Sequence, residues 1–248
     1  MSEGFRKAGI LVAARDEVVS LRETIEGLQA ACDPADVGRI GICLAPHATR
    51  ECIAEAYRLA AQNFPIPVLA GQEQGDMGTG LEMQQLFRTQ VDLSHALIWT
   101  ADQDAPAEHA AKMIAKAKEH PAAVVKLSRF IPGGSLPAEK KGFINFRDKM
   151  FAQLVRWFWN MKQTDPHFGL VLFPMEPFLR FNLREPFMSF TIEYVLSFER
   201  LGAEFVEIPL KQQVRTEGES NMKVHNKLRY FVPVIRLRFC AKHKIFKP

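Results

Sequence analysis

The sequence HALIWTADQDAPAEH, residues 95–109, decides the fold class, because an apolar run in it ends on two closely spaced carboxylates. Its first part, residues 95–101, has the length and composition of a buried strand. Asp102 and Asp104 follow directly, and a helical pattern then covers residues 107–119. A buried strand, a polar turn and a helix in this order are typical of one unit of an α/β sheet.

The same alternation continues outward from this stretch in both directions. Four further apolar runs have the length of buried strands: residues 9–14, 38–45, 66–70 and 122–128. Helical patterns lie between several of them, over residues 17–32, 48–63 and 81–90. This order predicts an α/β fold with a doubly wound, mostly parallel sheet. In such sheets a ligand binds beyond the carboxyl ends of the strands.

Composition is that of a globular protein. The chain has 248 residues, of which 47% are hydrophobic and 24% charged, and this is enough for one α/β domain with a sizeable core. The four cysteines form neither a CxxC pair nor a close cluster, which favours reduced thiols in the cytoplasm over a zinc site or disulfide framework. No secretory leader and no run of 18 apolar residues is visible, so we expect neither secretion nor a membrane span.

The net charge of +4 is unevenly distributed. Residues 223–248 contain eight of the 32 Lys and Arg residues and no Asp or Glu. We therefore divide the chain into a catalytic domain, residues 1–222, and a basic, aromatic tail, residues 223–248. Such a tail favours an anionic partner: nucleic acid, an acidic membrane surface or a phosphate group. Nucleic acid is the least favoured, since no recognition motif accompanies the tail.

Asp102 and Asp104 are the strongest candidates for chemistry. Alternate side chains of an extended segment point the same way, and two carboxylates at one spot repel each other without a cation. A hard divalent ion, Mn²⁺ or Mg²⁺, would bind them and complete its shell with substrate phosphates. The alternative is a solvated turn in which Asp104 caps the next helix. The position after a strand of a doubly wound sheet favours the metal site.

Two other loops, SRFIPGGS (128–135) and VRTEGESNMK (214–223), have the composition of a phosphate site. Each combines small residues, which let the backbone approach a ligand, with an arginine. The residues are Arg129, Gly133 and Gly134 in the first loop and Arg215 and Ser220 in the second. A solvated surface loop is the alternative for both.

In their order, these segments resemble the motifs of the family 2 glycosyltransferases, which have the GT-A fold. The branch most similar contains dolichyl-phosphate mannose synthase and related polyprenyl-phosphate glycosyltransferases. The resemblance extends over about residues 10–238. The matching segments are ILVAARDE (10–17), GDMG (75–78), DQDAPAEH (102–109), SRFIPGG (128–134), TDPHFGLVLF (164–173), FTIEYVLSFERLGAEFVEIPL (190–210) and VRTEGESNM (214–222).

On the donor side, the resemblance implies that a sugar is moved from a nucleotide-sugar by a direct, inverting displacement. Asp102 and Asp104 would hold the metal and, through it, the donor diphosphate. Glu17 would lie near the nucleotide, and Gly75 and Gly78 would belong to the donor-binding glycine-rich turn.

On the acceptor side, it implies a polyprenyl phosphate or another lipid at the membrane surface. Arg129, Arg215 and Ser220 would contact the acceptor phosphate, together with Gly133 and Gly134, and Arg129 would also be catalytic. A phosphate monoester is already ionised near neutral pH, so it needs no strong general base; positioning and charge neutralisation would supply most of the catalysis.

Two stretches combine aromatic and basic residues in an amphipathic pattern: FINFRDKMFAQLVRWFWNMK (143–162) and LRYFVPVIRLRF (228–239). Such stretches lie in membrane interfaces, whereas the alternative is a core helix and a docking tail. With the resemblance, we expect a cytoplasmic protein attached peripherally to the inner face of the membrane.

One departure from the family leaves the nucleotide open. The family has a pair of aspartates after the second strand, and this chain has CLAPHATRE (43–51) there, where His47 or Thr49 could contact a base instead. A catalytically silent sugar-nucleotide-binding or scaffold protein is therefore an alternative. A glycosyltransferase with a non-phosphate acceptor is another, and the oligomeric state is open.

Overall fold

The computed structural model describes residues 4–72, 93–137, 143–185, 189–214 and 231–247. The strands of this part are β1 (Ala8–Ala14), β2 (Val37–Leu44), β3 (Val68–Gln72), β4 (His95–Thr100), β5 (Val124–Ser128), β6 (Val171–Pro174) and β7 (Phe205–Pro209). The helices are α1 (Val19–Ala31), α2 (Arg50–Ala60), α3 (Glu108–Glu119), α4 (Phe143–Trp159), α5 (Met175–Arg180), α6 (Ser189–Leu201) and α7 (Phe231–Phe239), and a 3-10 turn covers Lys242–Ile245.

The described strands form one sheet in the order β3-β2-β1-β4-β6-β5-β7. β6 is antiparallel to both of its neighbours, and the other strand pairs are parallel. The predicted α/β fold with a mostly parallel sheet is therefore confirmed. Because six strands run the same way, their carboxyl ends lie along one edge of the sheet, which we call the carboxyl edge.

The central strands are mostly apolar because helices cover both faces of the sheet. Along β1, Ile10 and Val12 point to the face covered by α1, where they share a core with Leu21 and Ile25. Leu11 points to the opposite face, into a second core formed with α5 and α6. This period of two explains why a continuous apolar run, rather than an alternating one, predicts these strands.

Helix α6 is buried along most of its length, because α4 and α7 cover the side that faces away from the sheet. Their shared core consists of Val155, Trp159, Met161, Ile192, Leu196, Val234 and Leu237. The Trp159 indole Nε1 donates to the Val234 carbonyl at 3.1 Å. The part of residues 223–248 that the structure describes thus packs against the domain. None of the helices in the described ranges has both the length and the hydropathy to cross a bilayer.

Candidate active site

The two carboxylates predicted to hold a metal lie in a turn at the carboxyl edge, directly after β4. Asp102 is 6% exposed. Between them, Gln103 has a φ of 56°, which is a left-handed conformation. Residues other than glycine seldom adopt it, and those that do are frequently found at functional sites. Its Nε2 donates to Glu23 Oε2 of α1 at 2.6 Å. The assumption of an extended segment is therefore wrong, because the backbone reverses at Gln103.

Asp104 is held by the segment that follows β7. Its Oδ1 accepts from Gln212 Nε2 at 2.9 Å, and its main-chain oxygen accepts from Gln213 N at 3.0 Å. The first of these bonds joins residues 108 positions apart in the chain. Together the two bonds orient one of the two candidate metal ligands.

The donor set at this turn suits a hard divalent ion. Within the described ranges, no group of three or more His, Cys, Asp or Glu side chains could enclose a metal on its own. Two carboxylates would leave several coordination positions for phosphate oxygens, which is how Mg²⁺ and similar ions are held beside phosphate substrates. The residues present therefore fit the predicted ion.

Glu17 lies after β1, the neighbour of β4 in the sheet. It is buried, and its Oε2 accepts from the main-chain nitrogens of Arg15 at 2.7 Å and Asp16 at 3.1 Å. The carboxylate thus holds the loop at the carboxyl end of β1, and its contact with a nucleotide stays a prediction. After β2, the Thr49 hydroxyl oxygen caps α2 by accepting from Cys52 N, while His47 is exposed.

Arg129 follows β5 and forms a buried bidentate ion pair. Its Nε donates to Asp165 Oδ2 at 2.7 Å and its Nη2 to Asp165 Oδ1 at 2.9 Å. Its third nitrogen, Nη1, donates to Gln212 Oε1 at 3.3 Å, and the guanidinium carbon lies 4.5 Å from the Phe168 ring centroid. Although burial acts to raise the pKa of Asp165, the guanidinium outweighs it and the pKa falls to about 2. Asp165 is therefore ionised at neutral pH.

A buried lysine, Lys126, contacts the segment that carries Asp165. The Lys126 ammonium, which has no exposed surface, donates to Gln163 Oε1 at 3.0 Å and to the Asp165 carbonyl at 2.5 Å. Burial lowers its pKa to about 8. Burial also lowers the pKa of His167, whose Nε2 lies 3.2 Å from Arg129 Nη2, so the neutral ring can accept from the guanidinium.

The backbone of the predicted acceptor loop requires glycine at both Gly133 and Gly134. Gly133 has a φ of 90°, which favours glycine. A Cβ on Gly134 would lie 2.6 Å from the Ser128 carbonyl oxygen and 2.9 Å from the Arg129 carbonyl carbon, so no larger residue fits. The loop therefore folds back closely over Arg129, and Gly134 lines the cavity that opens beside it.

That cavity has a volume of about 490 Å³ and contains three basic side chains, so we call it the basic cavity. Arg129 comes from the carboxyl edge, while Lys149 and Arg156 come from α4. Because Asp165 balances the charge of Arg129, the two α4 side chains supply most of the net positive charge. An anion of the size of a phosphate group would find hydrogen-bond donors there.

An apolar groove of about 610 Å³ lies along the outer face of α4. Its apolar lining consists of Phe146, Met150, Leu154 and Trp157, which occur at helical spacing and are all exposed, Trp157 at 78%. The groove and the basic cavity share Lys149 and Gln153 in their linings. A charged pocket and an apolar surface therefore adjoin along one helix.

The remaining predicted site residues, Gly75, Gly78, Arg215 and Ser220, lie outside the described residues, and so does the predicted helix 81–90. Their roles stay predictions.

The sequence patterns assigned no role in the active site to four residues of this region: Lys149, Arg156, Asp165 and Gln212. Lys149 and Arg156 could have been paired from the sequence, because residues seven apart on a helix lie on the same face. For Asp165 and Gln212, no local pattern indicates a contact with Arg129.

No family model matches the chain, and no curated protein matches it. Among solved structures, it is similar to glucosyl-3-phosphoglycerate synthase from Mycobacterium tuberculosis in complex with Mn²⁺, UDP and phosphoglyceric acid. The identity is 11% and the TM-score 0.69, over 95% of this chain and 80% of that chain. A complex of that enzyme with Mn²⁺, UDP-glucose and phosphoglyceric acid has 11% identity and a TM-score of 0.66, over 93% and 79%.

A further solved structure, of a mycobacterial protein, is 12% identical with a TM-score of 0.64, over 86% of this chain and 68% of that chain. At these identities the likeness concerns the fold alone. The chain therefore has a GT-A fold. The carboxyl edge and the turn after β4 are parts of this fold.

Proposed function

We propose that this protein is a glycosyltransferase that moves a sugar from a nucleotide-sugar donor to a lipid phosphate, as the polyprenyl-phosphate branch of family 2 does. One observation carries the choice of acceptor. The basic cavity at the carboxyl edge adjoins an exposed apolar groove on α4. A phosphate group with a long apolar chain has both of the chemical features that these two surfaces match.

On the donor side, Asp102 and Asp104 would hold a divalent ion next to the donor diphosphate. Their donor set supports this role, and the similar glucosyl-3-phosphoglycerate synthase was solved with UDP and Mn²⁺ or Mg²⁺. When bound, such an ion neutralises charge on the leaving diphosphate. Gln212 orients the Asp104 carboxylate, and Glu17 holds the adjoining loop.

On the acceptor side, Lys149 and Arg156 bind the phosphate and neutralise its charge. One phosphate oxygen attacks the anomeric carbon of the sugar, and the bond to the donor diphosphate breaks with its electron pair on the diphosphate. The attacking oxygen carries no proton to remove, so catalysis comes from positioning and electrostatics. Arg129, held by Asp165, lines the same cavity.

Peripheral attachment to an anionic membrane, at its cytoplasmic face, forms part of the proposal. α4 and α7 bury their inner faces on α6, and their outer faces expose large apolar side chains, including Trp157 and Phe239. The two helices contact through the rings of Phe158 and Phe239, whose centroids are 6.0 Å apart. Exposed apolar side chains beside basic ones are what an interfacial surface requires.

Liposome co-sedimentation tests this attachment. Binding should rise with the fraction of anionic lipid and fall with salt, because apolar burial and electrostatic attraction act together. Trp157→Ser should reduce binding several-fold, whereas Tyr57→Ser, which removes an exposed aromatic residue from α2, should not. Binding that is indifferent to lipid charge, to salt and to Trp157 would contradict the attachment.

A soluble phosphorylated acceptor is a second candidate. The similar glucosyl-3-phosphoglycerate synthase was solved with phosphoglyceric acid, which is also a phosphate monoester. Such an acceptor would use the basic cavity and leave the apolar groove empty. The two candidates share the chemistry of the attacking oxygen and differ in what lies beyond it.

Two measurements on one preparation test the proposed function. A thermal-shift screen of UDP-, GDP-, ADP- and dTDP-sugars with and without Mn²⁺ should identify a donor, since a ligand of the native state raises its stability. Radiolabelled sugar from that donor should then enter a polyprenyl phosphate and not 3-phosphoglycerate. Transfer to 3-phosphoglycerate alone would favour the soluble acceptor. Tight donor binding with no transfer to any acceptor would identify a silent binder.

A further inference from the structure

Gln212 lies between the two halves of the candidate site. Its side chain is 7% exposed, with Nε2 donating to Asp104 Oδ1 and Oε1 accepting from Arg129 Nη1. Its backbone is held as well, because Gln212 N donates to the Ser135 carbonyl at 2.9 Å. One amide therefore contacts a candidate metal ligand at one end and a side chain of the basic cavity at the other.

The two partners specify the type of residue that can stand here. A carboxylate only accepts hydrogen bonds, and a guanidinium only donates them. A side chain that bridges them must donate at one end, accept at the other and carry no charge. An amide does this, whereas Glu would place a second carboxylate against Asp104, and Lys would place a second cation against Arg129.

The bridge also connects the binding of the anion with the binding of the divalent ion, because both ligands restrain the same chain of side chains. Asp165 already holds the Arg129 guanidinium, and an anion in the basic cavity adds a further contact that restrains its Nη1. This nitrogen fixes the amide and, through it, the Asp104 carboxylate. An ion bound at Asp104 orders the same chain of contacts from the other end. When one ligand has already ordered the chain, the second binds with a smaller loss of conformational entropy, which produces positive cooperativity.

We propose that Gln212 is a positioning residue through which a divalent ion at Asp104 and an anion in the basic cavity strengthen each other's binding. The inference rests on the proposed function, because it requires the ion at Asp104. Linkage makes the effect reciprocal, so the anion tightens Mn²⁺ binding by the same factor as Mn²⁺ tightens anion binding.

The test measures free Mn²⁺ by electron paramagnetic resonance, without and with saturating geranyl phosphate, after correction for Mn²⁺ bound by geranyl phosphate in protein-free samples. In the wild type, geranyl phosphate should tighten Mn²⁺ binding about fivefold or more, the lower end of typical coupling between sites. Gln212→Met, which keeps the length but neither hydrogen bond, should reduce this factor to within about twofold, the remainder being direct attraction between ion and anion. Gln62→Met, at an exposed position just after α2 and outside the candidate site, is the matched control and should keep the full factor.

A second variant distinguishes coupling from general damage. Gln212→Glu adds a carboxylate beside Asp104, so it should bind Mn²⁺ at least as tightly as the wild type and still lose the coupling. Full coupling in Gln212→Met, or no coupling in a wild type that binds Mn²⁺, would overturn the inference and leave the proposed function standing. A wild type that binds no Mn²⁺ would overturn both.

Discussion

Asp102→Asn and Asp104→Asn should each weaken Mn²⁺-dependent binding of the nucleotide-sugar by about 1–3 kcal/mol, roughly 5- to 150-fold. Each change removes one negative charge from the donor set of the ion. Asparagine keeps an oxygen that can accept from Gln212 Nε2, so Asp104→Asn tests the charge rather than the hydrogen bond. Calorimetric titration of the donor, with and without Mn²⁺, measures the effect.

The matched control for this pair is Asp36→Asn, which removes a carboxylate that pairs with Lys118 away from the carboxyl edge. Its donor affinity should equal that of the wild type. Without Mn²⁺, the wild type and both site variants should differ little. Equal affinities in all proteins with the metal present would show that the turn after β4 holds no ion.

The central parallel strands of the fold were predictable because they are largely buried on both faces. β1, β2, β4 and β5 are short apolar runs, and their observed bounds lie within three residues of the predicted ones. β6 escaped prediction from periodicity, since four residues are too few to distinguish a strand from a buried loop. Its antiparallel direction depends on pairing with β4 and β5, which no local pattern encodes.

Only those site residues that directly follow a parallel strand could be placed from the sequence, because the carboxyl ends of these strands lie at one edge of the sheet. Asp102 and Arg129 each follow a parallel strand, and both lie at the carboxyl edge as such residues should. The partners of Arg129 could not be inferred in the same way. Asp165 and Gln212 lie 36 and 83 residues further along the chain, and their contacts with Arg129 result from the docking of separate loops.

These contacts change how Arg129 must be tested. A change to alanine leaves the buried Asp165 carboxylate without its counter-charge, which typically destabilises a protein by about 3–5 kcal/mol. Loss of activity in Arg129→Ala would then reflect unfolding as well as the acceptor site. Denaturant unfolding of Arg129→Ala should show this loss of stability, and Arg129→Met combined with Asp165→Asn should recover most of it.

Removing the two cations of α4, Lys149 and Arg156, tests the acceptor site without the loss of stability expected for Arg129→Ala. We expect a large effect on the rate of transfer. Lys149→Ala and Arg156→Ala should each lower the acceptor-dependent rate of transfer to a polyprenyl phosphate by about tenfold or more, the scale of one lost charge-assisted hydrogen bond. Both side chains reach the solvent and line the cavity, so stability should change little. Radiolabelled transfer into lipid, beside donor titrations on the same proteins, measures the rate and the donor affinity separately.

The expected pattern is a loss of transfer with donor affinity unchanged, because these side chains position the attacking oxygen and not the nucleotide. Lys162→Ala, which removes a charge just beyond α4 and outside the basic cavity, should transfer normally. Arg215→Ala, in the second predicted phosphate loop, should behave like the cavity variants. If transfer persists at the wild-type rate without Lys149 and Arg156, the acceptor does not place a phosphate in this cavity. The likeness to polyprenyl-phosphate glycosyltransferases would then end at the donor site, and the apolar groove would serve the membrane surface alone.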